Sequence, residues 1–287
     1  MSNIGGQRKE NKEYGGRKIG LFEGRVIAIN PSAEDFKEVL GFELKEDSKK
    51  TEYLGESDEG NTTLRIDVWL EAVKSGEKFT VPFFLENKER ENKDMTKKQY
   101  INAVGACSWA DDPNNLPDWF KEREYRIANV GEEDLYNFLR TWLGNLNYRS
   151  AETVLEIEWK KLMKGNVKDL REQIDGEWST TIGALATVIV KEKDGEIKEY
   201  QGVYNRAFLP TYALKNFRLV DYSDDTIVQK LKAKKPRDLK AHEKFVLAVK
   251  GEYGIKDIFT FKELCDYNSD DFLVSSDKVI SEEGSDY

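Results

Sequence analysis

The chain has few of the residues that carry most familiar enzyme chemistry. It holds two cysteines, Cys107 and Cys265, and one histidine, His242. A structural zinc site takes four Cys/His ligands in short paired spacings, so none is expected. Two cysteines 158 residues apart supply no disulfide framework, and nothing points to an oxidising compartment. A Ser-His-Asp or Cys-His apparatus would have to use His242, which lies in the polar stretch Leu239-Lys240-Ala241-His242-Glu243-Lys244 and does not suit that role. Neither a GxxxxGK[ST] phosphate loop nor a glycine-rich dinucleotide fingerprint is present.

Long apolar runs are missing too. No stretch approaches the roughly 18–20 residues that span a bilayer, and the opening MSNIGGQRKENKEYGGRK has no apolar signal core. These absences lead us to expect a cytoplasmic, non-enzymatic protein with no membrane partner, no metal and no cofactor.

Aromatics and charge are plentiful. The 287 residues include 6 Trp, 13 Tyr and 14 Phe, enough to build a real core and to argue against global disorder. Charged residues make up 34% and the net charge is −9. Residues 266–287 carry seven acids against Lys278, which is −6 of that total. Their Ser/Asp/Glu/Gly composition reads as a disordered acidic tail. It contains Asp277, Glu282, Glu283 and Asp286 and closes on Tyr287. Basic residues gather in an N-terminal arm over 1–18 (Arg8, Lys9, Lys12, Arg17, Lys18) and in 230–250. A basic segment followed by an acidic tail suggests a body that binds polyanions.

Between arm and tail, 19–265 reads as one domain. Residues 20–30 form a strand whose Gly24 is compatible with a bulge. Ser32 and Asp35 make a capping box for a short helix, and 45–62 reads as loop. In Thr63–Val73 the residues Leu64, Ile66, Val68, Leu70 and Ala72 alternate onto one face, and Lys78–Glu86 forms the second arm of a hairpin. Residues 87–98 look like an exposed loop, and 99–105 like a further strand. A helical insert is placed at 109–180, its best helix over 132–147, its second over 167–174. Thr181–Glu192 and Glu196–Asn205 flank Lys193-Asp194-Gly195, a strong hairpin signal. Residues 224–235 read as helix, and 245–250 and 258–261 as strands. The fold expected is α+β: a five-stranded OB-fold-like β-barrel with a helical insertion and the acidic tail.

Three surfaces are candidates for nucleic acid. Alternation in 196–206 sends Lys198, Tyr200, Gly202, Tyr204 and Arg206 to one side, a stacking platform with phosphate partners. In 63–73 it places Arg65 and Trp69 opposite the apolar row, beside Asp67 and Glu71. On the neighbouring strand, Phe84 is expected to help close a second small core under the insert. Two segments interleave rings with cations: Trp119, Lys121, Arg123, Tyr125 and Arg126, then Arg206, Phe208, Tyr212, Lys215, Phe217 and Arg218. The acidic groups Glu132-Glu133-Asp134 and Asp224-Asp225 open predicted helices, where acids complement the helix dipole. Asp111-Asp112 precedes a proline turn.

The opening strand, the hairpins 63–86 and 181–206 and the tail ending in Tyr287 together resemble the single-stranded DNA-binding proteins of tailed bacteriophages. That resemblance implies an OB-fold body that coats and protects single-stranded DNA during phage replication and recombination. It also implies an acidic tail that recruits DNA polymerase, helicase or other replication proteins, in the host cell cytoplasm. The residues expected to contact DNA, from the alternation and interleaving above, are Lys198, Tyr200, Tyr204, Arg206, Arg65, Trp69, Trp119, Arg123, Tyr125, Arg126, Tyr212 and Lys215. The sequence leaves open an oligomer, a phage structural or protein-interaction module, and a metal-dependent nucleic-acid enzyme built on Asp111 and Asp112.

Overall fold

A computed structural model of the chain describes residues 18–103, 105–143, 181–193, 196–215, 225–235, 238–251 and 274–275. The strands are β1 (Lys18–Ile29), β2 (Leu54–Glu56), β3 (Thr62–Ala72), β4 (Lys78–Glu89), β5 (Lys98–Asn102), β6 (Cys107–Ala110), β7 (Tyr125–Ile127), β8 (Asn129–Val130), β9 (Thr181–Lys193), β10 (Glu196–Val203), β11 (Leu209–Pro210) and β12 (Val274–Ser275). The helices are α1 (Ala33–Glu38), α2 (Asp118–Lys121), α3 (Glu132–Leu143), α4 (Thr211–Lys215), α5 (Asp225–Lys232) and α6 (Ala241–Gly251). This is a mixed α+β fold with a nine-stranded sheet in the order β10-β9-β1-β3-β4-β8, and β2, β11 and β12 attached beside β3, β9 and β1. A separate sheet runs β6-β5-β7.

Side-chain alternation sets the main sheet. Leu64, Ile66, Val68, Leu70 and Ala72 of β3 are all buried, as are Phe79, Val81, Phe83 and Leu85 of β4. The two-residue period of a strand puts each set on one face. From β3 Thr63 to Glu71 the two strands pair residue for residue, Thr63 with Glu86 and Glu71 with Lys78. Onto this face packs α3 through Leu135, Phe138, Leu139 and Trp142, all buried. Ser32 and Asp35 realise the capping box of α1 in both directions. The register shift in β1 falls between Val26 and Ala28, not at Gly24. Gly24 answers to packing instead, because a β-carbon there would stand 2.9 Å from the Phe22 ring and 3.3 Å from Leu70 Cβ.

Among the described residues the apolar side chains gather in three clusters. The largest lies between the main sheet and α3 and includes Phe83, Phe138 and Phe208. A second, smaller core gathers Leu209, Leu214, Leu231, Phe245, Val246 and Val249 from β11 and helices α4–α6. A third cluster, Tyr100, Ala110, Leu116 and Phe120, fills the small sheet.

Several expectations are corrected. The segment 245–250, read as a strand, is helix α6. Its run Phe-Val-Leu-Ala-Val is apolar without a clear period, and such a run does not tell strand from buried helix. The supposed loop 87–98 begins inside β4, and β2 interrupts the loop 45–62. The insert opens with strands β6, β7 and β8 before its helix α3. Within the span assigned to the tail, Val274 and Ser275 pair with Ile19 and Lys18. The expected helix 167–174, the strand 258–261, the arm 1–17 and the rest of the tail lie outside the described residues.

No closed barrel is found among the described residues. Because β3 and β9 each run antiparallel to β1, and β4 and β10 antiparallel to those, β4 and β10 point the same way. Two residues beyond the end of β10, the Asn205 side chain donates to the Pro82 carbonyl of β4 at 3.0 Å.

Candidate nucleic-acid interface

A cleft of about 440 Å³ lies between α3, α6 and the segment 206–212. Asn137, Arg140 and Thr141 of α3 face it, at the i, i+3, i+4 spacing that shares one side of a helix. Ala241, Lys244, Phe245 and Ala248 of α6 form the facing stripe. Arg206, Phe208 and Tyr212 complete the wall. Arg140, Arg206 and Lys244 are exposed, and the lining holds no carboxylate. Three cations around one concave surface concentrate positive charge there. Tyr212 stands 64% exposed at its edge.

The platform expected on 198–206 does not stay on one face. β10 ends at Val203, opposite Ala186, and the Tyr204 N–H then bonds to the Leu185 carbonyl at 2.9 Å. Tyr204 turns into the smaller core, with its hydroxyl 3.4 Å from the Ala248 carbonyl. Arg206 reaches the cleft. Tyr200 remains on β10, 42% exposed. Lys198 is placed by its backbone on β10 opposite Lys191, and Lys215 closes α4.

On the outer face of β3, Arg65 is held on three sides. Its Nη2 donates to the Lys50 carbonyl at 2.6 Å, its Nε lies 3.1 Å from Asp67 Oδ2, and its guanidinium sits 5.3 Å from the Tyr53 ring centre. Burial pushes the Asp67 carboxyl above its usual range, opposed by Arg65. Trp69 is half-buried and meets Phe36 edge-on at 5.7 Å and Phe42 at 6.0 Å. The segment after β1 thus covers the ring. Phe84, expected in a second core, is 65% exposed opposite Arg65.

The ring-and-cation segment 119–126 divides. Trp119 is 55% exposed, and Arg123 is exposed beside it in sequence. Tyr125 is sandwiched between Tyr100 at 6.1 Å and Phe120 at 5.9 Å. Arg126 Nη1 donates to Glu132 Oε2 at 2.9 Å. The Glu132 side chain is fully buried, and burial raises its carboxyl above the ordinary range even with Arg126 beside it. Glu133 accepts from Gln99 Nε2 at 2.6 Å and lies 3.2 Å from Arg90 Nη1. These two acids therefore tie α3 to the small sheet, a role beyond complementing the helix dipole.

Asp111 and Asp112 build their own turn. Asp111 accepts from Asn115 Nδ2 at 2.9 Å, and Asp112 from the Asn114 N–H at 2.8 Å. The bond from Asn115 holds the Asp111 carboxyl below the usual range. Among the described residues, no group of three or more His, Cys, Asp or Glu side chains could hold a metal ion, and no helix is long and apolar enough to cross a membrane. The tail residues Asp277, Glu282, Glu283, Asp286 and Tyr287 lie outside the described residues.

The chain matches no family model, no curated protein and no solved structure. The cleft is therefore read from its own chemistry.

Of the cleft residues, the sequence pointed to Arg206, Phe208 and Tyr212 and placed Lys244 in the basic stretch 230–250, but did not single out Asn137, Arg140 or Thr141. A signal for these three existed. They sit on one flank of the amphipathic α3, away from Leu135, Phe138 and Trp142. Nothing in the sequence paired that flank with α6, about 100 positions away, because the segment 245–250 read as a strand.

Proposed function

We propose that the protein binds single-stranded nucleic acid without catalysis, as an OB-fold-like body whose cationic cleft holds phosphates while exposed rings stack on bases. The observation that carries this reading is the cleft itself, which Arg140, Arg206 and Lys244 line together with Tyr212. The strand order supports the architecture. β1 lies between two hairpins, β3–β4 and β9–β10, whose outer strands run parallel, and Asn205 beyond the end of β10 bonds to Pro82 of β4. A five-stranded Greek-key barrel of the OB type would be built on such a pair of hairpins around one central strand. Phage replication and recombination, and recruitment of polymerase or helicase through the acidic tail, belong to the same proposal. A protein-interaction module is the second reading, favoured by the exposure of Phe84 and Trp119.

Fluorescence anisotropy of a labelled thirty-nucleotide dT oligomer across a salt series, with duplex DNA as control, tests the proposal. Salt-sensitive binding to the single strand over the duplex is expected. Replacing Arg140, Arg206 and Lys244 together by Ala should weaken it and reduce the log–log salt slope by about 2, at roughly 0.7 per phosphate contact. An oligomer that stays unbound at low salt rules the reading out.

A further inference from the structure

The cleft has two chemically different parts. Its floor is apolar: Phe208 and Phe245 are 7% and 2% exposed. Phe208 is pinned by Phe83 at 6.4 Å and by Phe138, edge-on, at 5.1 Å. Phe208 belongs to the larger core and Phe245 to the smaller one, so the cleft opens at the seam between them. Its width comes from Ala241 and Ala248, which leave two positions of the α6 stripe without bulk. The rim, by contrast, is cationic.

A ligand that was only phosphate would have no use for the aromatic floor. An uncharged hydrocarbon would have none for three cations. A nucleoside phosphate answers to both, with a planar ring inward, its phosphate at the rim, and Tyr212 and the Asn137 carboxamide offering a stacking face and hydrogen bonds. The volume of about 440 Å³ lies at the small end of the roughly 300–1,000 Å³ range of small-ligand sites. That suits one nucleotide and not a run of them.

We infer that the cleft takes a single nucleotide with its base inserted against Phe208 and Phe245 and its phosphate held by Arg140, Arg206 and Lys244. Where that nucleotide is one unit of a bound strand, turned out of the stack, the inference rests on the single-strand reading. The same chemistry would serve a free nucleotide, and the test separates the two.

The full chain is titrated with dTMP, with inorganic phosphate and with the dT oligomer, by ligand-observed NMR and by anisotropy. Two variants are compared. Ala248→Phe fills the cleft and leaves the rim cations in place. Tyr212→Ala removes an exposed ring at the edge of the cleft. The expected result is dTMP binding at least tenfold tighter than inorganic phosphate, lost in Ala248→Phe and weakened about tenfold in Tyr212→Ala. Oligomer affinity should fall about tenfold or more in Ala248→Phe, with circular dichroism unchanged. If Ala248→Phe unfolds, the ratio of dTMP to phosphate and the Tyr212→Ala effect on dTMP decide the matter. Oligomer binding with dTMP no better than phosphate overturns the inserted base and leaves the single-strand reading standing. Binding of dTMP without the oligomer keeps the cleft as a nucleotide site and removes the single-strand reading. Binding of neither overturns both.

Discussion

Gly131 and Phe84 approach so closely that a β-carbon on residue 131 would stand 1.9 Å from the Phe84 carbonyl oxygen. Gly131 also holds a left-handed φ of 83°. It joins β8 to α3, so this contact fixes where the helix leaves the sheet edge. The left-handed backbone alone costs roughly 1–2 kcal/mol with a side chain present, and the overlap with Phe84 adds to it. Gly131→Ala should lower the urea midpoint by more than any surface substitution on α3. An unchanged midpoint would mean that α3 does not lean on β4 in this way.

Glu132 predicts a specific pH dependence. Its folded carboxyl keeps a proton to higher pH than the unfolded one, near 4.3. Between those two values the folded state binds more protons, so this group's contribution to stability falls as pH rises. Glu132→Gln removes the decline. The melting temperature of the variant relative to the parent should therefore improve from pH 4.5 to pH 7, and a difference independent of pH would contradict it.

Trp69 separates packing from binding. Phe36 and Phe42 already occupy its ring. Trp69→Ala should cost about 2 kcal/mol of unfolding free energy, less than a fully buried ring would. It should leave oligomer affinity within about twofold. A variant of normal stability that binds the oligomer poorly would return Trp69 to the interface.

Cys107 should be inert. Burial, reinforced by the nearby Glu133 charge, pushes its thiol up to about 12. At pH 8 the thiolate fraction is then on the order of one in ten thousand, and alkylation follows the thiolate. In a Cys265→Ser background, iodoacetamide should label the native protein about a thousandfold more slowly than an unperturbed thiol. Labelling at the free-thiol rate would show that Cys107 opens to solvent.

The parts of the fold legible in sequence are those written by short-range rules. The Ser32–Asp35 box, the alternation in β3 and β4 and the Lys193–Glu196 hairpin all appear where local pattern puts them. What escaped depends on partners far along the chain. Trp69 has the periodicity of an outward residue, but α1 folds back across it. Tyr204 continues the alternation of Tyr200, yet the strand ends at Val203 and α6 captures the ring. Phe84 looks like core by composition and stands in solvent. The cleft needs α3, α6 and the segment 206–212 at once, so no local window contains it.

The pairing of Lys18 with Ser275 has a mechanical consequence. Lys18 opens β1 and Ser275 closes β12, so the first residue of one strand and the last of the other stand side by side at the same end of an antiparallel pair. A pull applied through both would load that ladder one bond at a time, peeling it like a zipper. Tension applied at Lys18 and Ser275 would thus strip β12 at low force, while the longer β1–β3 and β1–β9 ladders stayed in place.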